Sequence, residues 1–442
     1  MRENIGHIPE NALCTACGAC AGICPKKAIT MTHNPAGYLT AVLDKEKCVN
    51  CGKCYAVCPS NPQVTLQDEK IDLFHGQCLG AYIGHATDEE IRQKSQSGGI
   101  VTALLCYLLE KKAIDGAVVN KFDAATKRPQ AVLATSKESI IEGCGSYYAQ
   151  SAVAETILSH TDKRTAAVVL GCQAESLARI KQKYPDIQLP LYTIGLFCAG
   201  QNSGRLIDDL IEQSKYDLRE DLVQFRFRDK RVGGWPGNVG IYSNKNVYKL
   251  DKSRRLALKP IYEEYRCILC SDQVNVFSDI VVGDPWGISR DDMKKGFSVV
   301  IARTEEGKAL IEDAARDGAI AVEEIPAEMI MKGQTVDNRH KTKFFTARDI
   351  CGEKNWMLPY NSACFEDVAY QKADKKTRAG LAKRLDYSRK FYLETDANRI
   401  EQMIKHKKTN ILLKNLINSP LRFLKKCVSY ALRRFKLRLG KK

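Results

Sequence analysis

Residues 14–25 read Cys-Thr-Ala-Cys-Gly-Ala-Cys-Ala-Gly-Ile-Cys-Pro, and residues 48–59 read Cys-Val-Asn-Cys-Gly-Lys-Cys-Tyr-Ala-Val-Cys-Pro. Both runs follow the pattern C-x-x-C-x-x-C-x-x-x-C-P, and every cysteine of the first run recurs 34 positions later in the second. Two copies of one pattern at a fixed spacing indicate a duplicated structural unit. Each run has a glycine, Gly18 or Gly52, directly after its second cysteine, where the backbone must turn closely around sulfur.

This spacing predicts two 4Fe–4S clusters. Three closely spaced cysteines on a loop reach three irons of one cubane, and the fourth, at the start of the next helix, completes the cluster of the sister loop. Disulfides and zinc sites are the alternatives, but disulfides need an oxidising compartment and zinc sites usually combine two separated C-x-x-C pairs. The predicted ligands are Cys14, Cys17, Cys20 and Cys58 for one cluster, and Cys48, Cys51, Cys54 and Cys24 for the other.

The length and composition favour a cytoplasmic protein of several domains. A chain of 442 residues is expected to form about two to three domains. Residues 1–10 lack the apolar segment of a secretory signal, so the 18 cysteines are expected to lie in a reducing compartment. The uncharged stretch 189–204 is too short and too rich in glycine and proline to span a bilayer.

The net charge of +16 is concentrated at the C-terminus. Residues 403–442 contain 13 Lys and Arg residues and no Asp or Glu, so the rest of the chain is close to neutral. From residue 420 onward apolar residues recur every three or four positions, which predicts a basic amphipathic helix. Such a helix suits an anionic membrane surface, although docking on an acidic partner or a solvated tail are the alternatives. Nucleic acid is not an expected partner, because the near-neutral body offers no extended basic face.

The pattern between these features predicts alternating strands and helices. Strand–turn–strand is expected between the cysteine runs, and a strongly apolar helix over 100–110 is expected to be capped by Ser97. Residues 166–171 and 191–197 read as short strands buried on both faces. A helix over 205–213 capped by Ser203 follows, and then a hairpin-like pair of strands at 223–227 and 239–243.

Four further cysteines are candidates for a third cluster. Cys172 and Cys198 each come just after a buried strand, and Cys267 and Cys270 form a C-x-x-C pair. The carboxyl ends of parallel strands share one edge of a sheet, where ligands collect. Four thiols gathered there would suit a 4Fe–4S cluster, while the alternative is that Cys172 and Cys198 are small core residues.

Five further motifs occur in an order that resembles a known family. They are Ser97-Gly-Gly-x-x-Thr-Ala-Leu, Gly145-Ser-x-Tyr-x-Gln-Ser151, Phe227-Arg-Asp-Lys230 with Trp235, Cys267-x-x-Cys270 and Gly283-Asp-Pro-Trp-Gly287. Together they resemble the coenzyme F420 hydrogenase/dehydrogenase beta-subunit family over residues 1–330, here with an N-terminal dicluster ferredoxin. The resemblance implies a flavoprotein that passes electrons between iron–sulfur clusters and a flavin, usually FAD. It also supports the third cluster, although Leu170-Gly-Cys-Gln173 replaces the usual Gly-Thr-Pro-Cys-Gln at the position of Cys172.

The resemblance also implies where the flavin binds. Two glycines at a helix N-terminus allow backbone N–H groups to approach a pyrophosphate, although Ser-Gly-Gly alone is also typical of an ordinary helix start. Gly283-Asp-Pro-Trp can equally be a turn after a buried strand. The histidines show no ligand or triad spacing, and no catalytic side chain is predicted. The flavin residues implied are Ser97, Gly98, Gly99, Thr102, Ser146, Tyr148 and Ser151, with Asp284 and Trp286 lining the site.

The chain is therefore predicted to have an α+β fold. The expected parts are a dicluster ferredoxin-like domain (1–67), the flavin-binding and third-cluster parts of a mixed α/β domain (74–155 and 156–330), a helical extension (331–402) and a basic helical tail (403–442). The predicted function is an oxidoreductase that takes electrons from a redox partner or donor and passes them to a deazaflavin-like or other organic substrate. The alternatives are an electron-transfer subunit serving a partner enzyme, for instance in surface-polysaccharide synthesis, and a scaffold stabilised by its clusters.

Overall fold

A short antiparallel hairpin separates the two cysteine runs. The computed structural model describes residues 3–63, 72, 74–361, 365, 368 and 370–412. In it, β1 (Ile29–His33) pairs with β2 (Leu39–Leu43). The Asn34 Oδ1 atom accepts a hydrogen bond from the Tyr38 N–H group (2.9 Å), and Gly37 has φ +80° in the turn. The predicted strand–turn–strand is confirmed.

The remaining strands form one large and one small sheet. They are β3 (Gly80–Ala86), β4 (Gly116–Asp123), β5 (Arg128–Ala134), β6 (Thr165–Val169), β7 (Tyr192–Leu196), β8 (Leu222–Asp229), β9 (Asn238–Ser243), β10 (Val247–Leu250), β11 (Ile280–Gly283), β12 (Ser298–Ala302) and β13 (Ile320–Glu324). The large sheet has eight strands in the order β13-β3-β12-β11-β7-β6-β4-β5. Strands from the ranges 74–155 and 156–330 therefore share a single sheet.

The centre of the large sheet is parallel and its flanks are antiparallel. β11, β7, β6 and β4 run parallel to one another, while β5 on one side and β12, β3 and β13 on the other pair antiparallel. β6 and β11 are largely buried, because helices cover both faces of a parallel sheet. Both predicted strands are present, but only β6 is largely buried, since three of the five residues of β7 are partly exposed. The carboxyl ends of β6, β7 and β11 lie at one edge.

The small sheet contains β8, β9 and β10. β8 and β9 pair antiparallel with irregular register, which confirms the predicted hairpin-like pair. β10 was not predicted, because Val247–Leu250 is a short edge strand with only partial burial.

Sixteen α-helices are assigned in the described ranges before residue 394. They are α1 (His7–Glu10), α2 (Ala19–Gly22), α3 (Lys53–Ala56), α4 (Glu89–Lys94), α5 (Ile100–Glu110), α6 (Lys137–Glu142), α7 (Val153–Leu158), α8 (Gly171–Lys183), α9 (Arg205–Gln213), α10 (Lys252–Tyr262), α11 (Tyr265–Ile268), α12 (Glu305–Arg316), α13 (Ala327–Gly333), α14 (Val336–Asn338), α15 (Phe345–Glu353) and α16 (Lys375–Leu393). A π-helical segment, Arg339–Phe344, joins α14 to α15. The predicted α+β fold with a helical C-terminal region is confirmed.

Two helix starts differ from the prediction. The N-cap of α5 is Gly99 and not Ser97, whose hydroxyl group instead contacts the Ser298 Oγ atom at 3.0 Å. The N-cap of α9 is Gly204, although the Ser203 hydroxyl group does accept a hydrogen bond from the N–H group of Arg205 (3.2 Å). In both cases a glycine one or two residues after the serine takes the cap position.

Residues 394–412 belong to a second unit, in which residues 397–412 are helical. The amphipathic helix expected from residue 420 lies outside the described residues and stays a prediction. Over the described ranges, no helix combines the length and apolar character needed to cross a membrane.

Candidate functional site

Each cysteine run turns on a glycine in the left-handed region. Gly18 has φ +84° and Gly52 has φ +78°, and each is the N-cap of a four-residue helix. Only glycine adopts this conformation without steric cost. A side chain at Gly18 would also meet the Cβ atoms of Ala152 and Glu155 at 2.8 Å, because this loop packs directly on α7. The predicted close turns are confirmed.

Cys58 lies among the cysteines of the first run. Burial raises the pKa of the Cys58 thiol, and the neighbouring thiols of Cys17 and Cys14 raise it further. Burial also raises the pKa of Cys20, with contributions from Cys17, Cys14, Cys58 and, last, Cys54. The structure therefore brings together the four predicted ligands of the first cluster in the protein interior.

The other four cysteines of the two runs line one small cavity. Burial raises the pKa of Cys54, and Cys24 and Cys51 also contribute. Cys24, Cys48 and Cys51 are only partly buried. The predicted ligands of the second cluster thus lie together, nearer to the surface than the first four.

The four remaining candidate cysteines also converge. Cys172 is the second residue of α8 and directly follows β6, while Cys198 follows β7. Burial raises the pKa of Cys172, and the nearby thiols of Cys17, Cys270 and Cys198 raise it further. Burial raises the pKa of Cys267 as well, with Glu264 and Cys198 among its neighbours. The altered loop at Cys172 therefore still places its thiol with the others.

Backbone N–H groups point at several of these sulfur atoms. In three cases the donor belongs to the second residue after the cysteine: Ala16 to Cys14, Ser60 to Cys58 and Gly200 to Cys198, each at 3.4 Å. Such donors stabilise thiolates and tune iron–sulfur clusters. Within the described ranges, no three His, Cys, Asp or Glu side chains converge closely enough to hold a single metal ion. A cubane offers each thiolate its own iron, so its ligands surround a larger body, and the donor set fits that arrangement.

A buried arginine joins the first group of cysteines to the third. The Arg266 Nε atom donates a hydrogen bond to the Ser60 Oγ atom (2.9 Å), and its Nη2 atom donates to the carbonyl group of Pro59 (3.3 Å). Pro59 follows Cys58, and Arg266 precedes Cys267. The two groups are therefore neighbours in one interior, a contact that sequence reasoning did not identify because arginine has no fixed place in a ligand pattern.

A cavity of about 570 Å³ opens beside the third group. Its wall includes Cys198 and residues at the carboxyl ends of β6, β7 and β11. The volume falls within the range of small-molecule sites, roughly 300–1,000 Å³. Eight of the nine residues expected to bind flavin line it, namely Ser97, Gly99, Thr102, Ser146, Tyr148, Ser151, Asp284 and Trp286.

Gly98, the ninth, has a different role. Its N–H group donates to the Ser298 Oγ atom (2.9 Å), so it is not free for a phosphate. A side chain there would meet the Gly84 carbonyl oxygen and the Ser298 nitrogen at 2.6 Å. This glycine allows the loop to pack on β3 and β12, and its part in flavin binding stays a prediction.

Asp284 is fully occupied by neighbouring side chains. Arg228 forms a two-pronged ion pair with it, in which Nη2 lies 2.9 Å from Oδ1, and the Trp235 Nε1 atom donates to the same Oδ1 atom at 2.9 Å. The Arg228 guanidinium also lies 5.3 Å from the ring centroid of Trp286, which is 38% exposed. Asp284 thus holds Arg228 and Trp235 in place, and the Trp286 ring is presented to the cavity.

Sequence reasoning missed Arg255, which lies on α10 in the cavity wall. Within the described part of the chain its Nε atom has no hydrogen-bond partner, and burial lowers its pKa. Its guanidinium lies 5.4 Å from the ring centroid of Tyr148. The sequence signal that could have identified α10 and its arginine was Asp251. Its side chain caps the helix by accepting a hydrogen bond from the N–H group of Ser253 (2.8 Å), and it precedes a basic run.

Two features of the cavity fit the pyrophosphate of a flavin nucleotide. Gly99 caps α5 without a side-chain hydrogen bond, and the first N–H groups of a helix have no partner within it. Arg255 adds a cation without an ion-pair partner among the described residues. Leu105, Val119 and Ile140 supply an apolar wall suited to an aromatic ring.

Comparison with known families decides the assignment of the fold. Residues 81–157 match the N-terminal part, and residues 162–328 the C-terminal part, of the sequence model for the coenzyme F420 hydrogenase/dehydrogenase beta subunit. The chain belongs to this family. Residues 13–61 and 40–87 each match a 4Fe-4S dicluster domain, which agrees with the predicted family and ferredoxin-type domain.

Three curated relatives of this beta-subunit family come from Methanosarcina, Methanothermobacter and Methanocaldococcus species. The coenzyme F420 hydrogenase subunit beta of Methanosarcina barkeri strain Fusaro is 27% identical over 270 residues, which cover 58% of this chain and 86% of that protein. The protein of the same name from Methanothermobacter thermautotrophicus is 26% identical over 301 residues, which cover 64% of this chain and 98% of that protein. The F420-dependent formate dehydrogenase subunit beta of Methanocaldococcus jannaschii is 26% identical over 260 residues, which cover 57% of this chain and 64% of that protein.

A solved structure shows the same fold. A chain of the F420-reducing NiFe hydrogenase complex from Methanosarcina barkeri matches with a TM-score of 0.50 and 23% identity. The match covers 66% of this chain and 97% of that chain. The family models end at residue 328 and therefore do not cover the helices from α14 to α16.

The third group of cysteines gives a testable iron content for this beta-subunit relative. If three cubanes form, anaerobically prepared protein is expected to contain about twelve irons per chain, since each cubane has four. Cys270→Ala is expected to lower the value to about eight, as measured by iron analysis. Cys351→Ala is the control, because Cys351 is buried outside all three groups. A native value near eight that Cys270→Ala leaves unchanged would remove the third cluster.

Proposed function

We propose that this protein is an iron–sulfur flavoprotein oxidoreductase that moves electrons between a redox partner, three 4Fe–4S clusters, FAD and an organic substrate. One observation carries the proposal: the three groups of cysteines form a continuous series that ends at the cavity. The second group is partly exposed, the first is buried, Cys17 of the first group neighbours Cys172 of the third, and Cys198 lines the cavity.

In this proposal the redox partner docks near the second group. Residues 48–51 contain two of its cysteines, Cys48 and Cys51, and Val49 between them is 57% exposed. The relatives compared above are named as subunits of hydrogenases and of a formate dehydrogenase, which supports a protein partner. An exposed apolar side chain beside partly exposed ligands is a suitable contact for a transient electron-transfer complex.

FAD would supply the conversion between single electrons from the clusters and the electron pairs that organic substrates accept. The chain's own residues would hold it. The N-terminus of α5 and Arg255 would bind the pyrophosphate, and Tyr148 and Trp286 would pack against flat rings. Arg228 is fixed by Asp284 and the Tyr148 hydroxyl group (3.2 Å), so it would present a positive charge at a constant position.

The substrate class proposed is a deazaflavin-like coenzyme or another organic electron carrier. The names of the relatives, which refer to F420, support the first option. The second candidate is an electron-transfer subunit whose substrate is converted by a partner, and the same relatives' subunit names favour it.

Anaerobic stopped-flow reduction of the purified holoprotein tests the proposal. A one-electron donor is expected to bleach the cluster absorbance first and the flavin absorbance afterwards, because the clusters precede the cavity in the series. FAD released on denaturation should amount to about one per chain. Protein that carries clusters but takes up no flavin under anaerobic reconstitution would leave only the electron-transfer subunit.

A further inference from the structure

A second cavity of about 360 Å³ adjoins the proposed flavin cavity. Ala199, Lys259, Gln273, Trp286 and Gln334 line both, so the two spaces are neighbours with a shared wall. Cys267 and Cys270 of the third group also line the second cavity. Its outer wall includes Gly333, Thr335, Phe344 and Leu381, which lie beyond the residues that the family models match.

Four cationic side chains line this second cavity, which we call the basic chamber: Lys259, Arg339, Lys343 and Arg384. No Asp or Glu belongs to its described lining, and Glu263, behind Arg384, is the carboxylate in ion-pair contact with this set. The positive charge of the chamber therefore exceeds the negative charge that the described residues supply.

Two of these cations interact with cysteines of the third group. Arg339 and Lys259 lower the pKa of the Cys198 thiol, against the larger effect of burial, and Arg339 also donates to the carbonyl group of Cys267 (3.5 Å). A cluster held by four thiolates is itself an anion, so these two side chains are suitable counter-charges. Arg384 is matched by Glu263, whose side chain is only 3% exposed.

Lys343 is an exposed residue of the chamber wall. In the described part of the chain it makes no hydrogen bond and no ion pair, although it lines the chamber. Partial burial lowers its pKa, and the adjacent Arg384 and Arg339 lower it further. Glu263, which is already paired with Arg384, opposes them with the smallest of these effects. An oxyanion in the chamber would relieve this repulsion, since opposite charges at close range stabilise the charged form of a lysine.

We propose that the basic chamber binds the oxyanion, a phosphate or carboxylate group, of a small-molecule substrate whose redox-active part enters the flavin cavity. This inference rests on the proposed function for the role of the neighbouring cavity, but the oxyanion site itself depends only on the chamber. The helical extension would then give this protein a substrate contact outside the residues that the two family models match.

Calorimetric titration of the resting full-length protein tests the site without turnover. Inorganic phosphate, pyrophosphate and succinate would be titrated at constant ionic strength, with chloride as the background ion. Saturable binding of a phosphate compound or of succinate is expected. Which of these anions binds distinguishes a phosphorylated from a carboxylated substrate. Lys343→Met should weaken that binding at least tenfold, and Lys343→Arg should retain it.

The matched control is Lys390→Met, because Lys390 is an exposed lysine on α16 that does not line the chamber. Its affinity should equal that of the native protein. No saturable binding of any of the three anions, or equal affinities for the native and Lys343→Met proteins, would overturn the inference. If Lys343-dependent binding persists in protein that never takes up FAD, the oxyanion site stands and the flavoprotein proposal fails.

Discussion

Replacing Cys58 with alanine is expected to remove the cluster of the first cysteine run, although Cys58 belongs to the second run. The reason is geometric: Cys58 is buried with Cys14, Cys17 and Cys20, and its backbone contacts tie it to that side of the domain. Arg179 donates to the Cys58 carbonyl group, and the Ser60 hydroxyl group donates to the Leu13 carbonyl group (2.7 Å), one residue before Cys14.

Paired substitutions make this test sharp. The double variant Cys20→Ala, Cys58→Ala should lose about four irons per chain, because both cysteines are predicted ligands of one cubane. The double variant Cys54→Ala, Cys58→Ala should lose about eight irons per chain, because its two cysteines are predicted ligands of two different cubanes. Iron analysis and the spectrum of the remaining cluster measure both outcomes. If each run instead held its own cluster, the two double variants would exchange their iron contents.

Replacing Arg255 with methionine is expected to abolish retention of FAD through purification while the iron content stays native. Arg255 is the cavity cation with a buried, unpartnered Nε atom, and methionine keeps much of its length without the charge. Loss of one partner of a buried charge pair costs about 2 kcal/mol or more, which is roughly a 30-fold loss of affinity. Fluorescence titration of deflavinated protein with FAD measures it.

Arg254→Met is the control, because Arg254 is the preceding residue on α10 and is exposed. Its FAD affinity should match that of the native protein. Equal FAD affinity in the native and Arg255→Met proteins would show that the flavin phosphates, if bound at all, lie elsewhere. Circular dichroism of both variants checks that α10 remains folded.

The predictions that were confirmed depended on short-range patterns in the sequence. The cysteine spacing is a short-range property, and Gly18 and Gly52 adopt the left-handed turns that it requires. The buried parallel strand β6 is a continuous apolar run, which can be recognised without knowledge of its neighbours in the sheet. The apolar helix α5 was recognised with its observed bounds for the same reason.

The missed features depend on contacts between distant segments. The Gly98 N–H group donates to Ser298, 200 residues away, a contact that the local pattern could not indicate. Arg255 and Arg266 are single arginines whose roles arise from the cavity wall and from Ser60, not from a local pattern. The cap positions were misassigned because serine is the commoner N-cap and the nearby glycine carried no distinguishing signal.

The position of β3 has a consequence for how this chain folds during synthesis. β3 forms early in the sequence, yet both of its neighbours, β12 and β13, are made more than 200 residues later. Contacts of such long sequence separation form slowly, and until they form β3 has two unpaired edges. The large sheet is therefore expected to be completed only after residue 324 has left the ribosome. Until then, its unpaired strands need protection from aggregation.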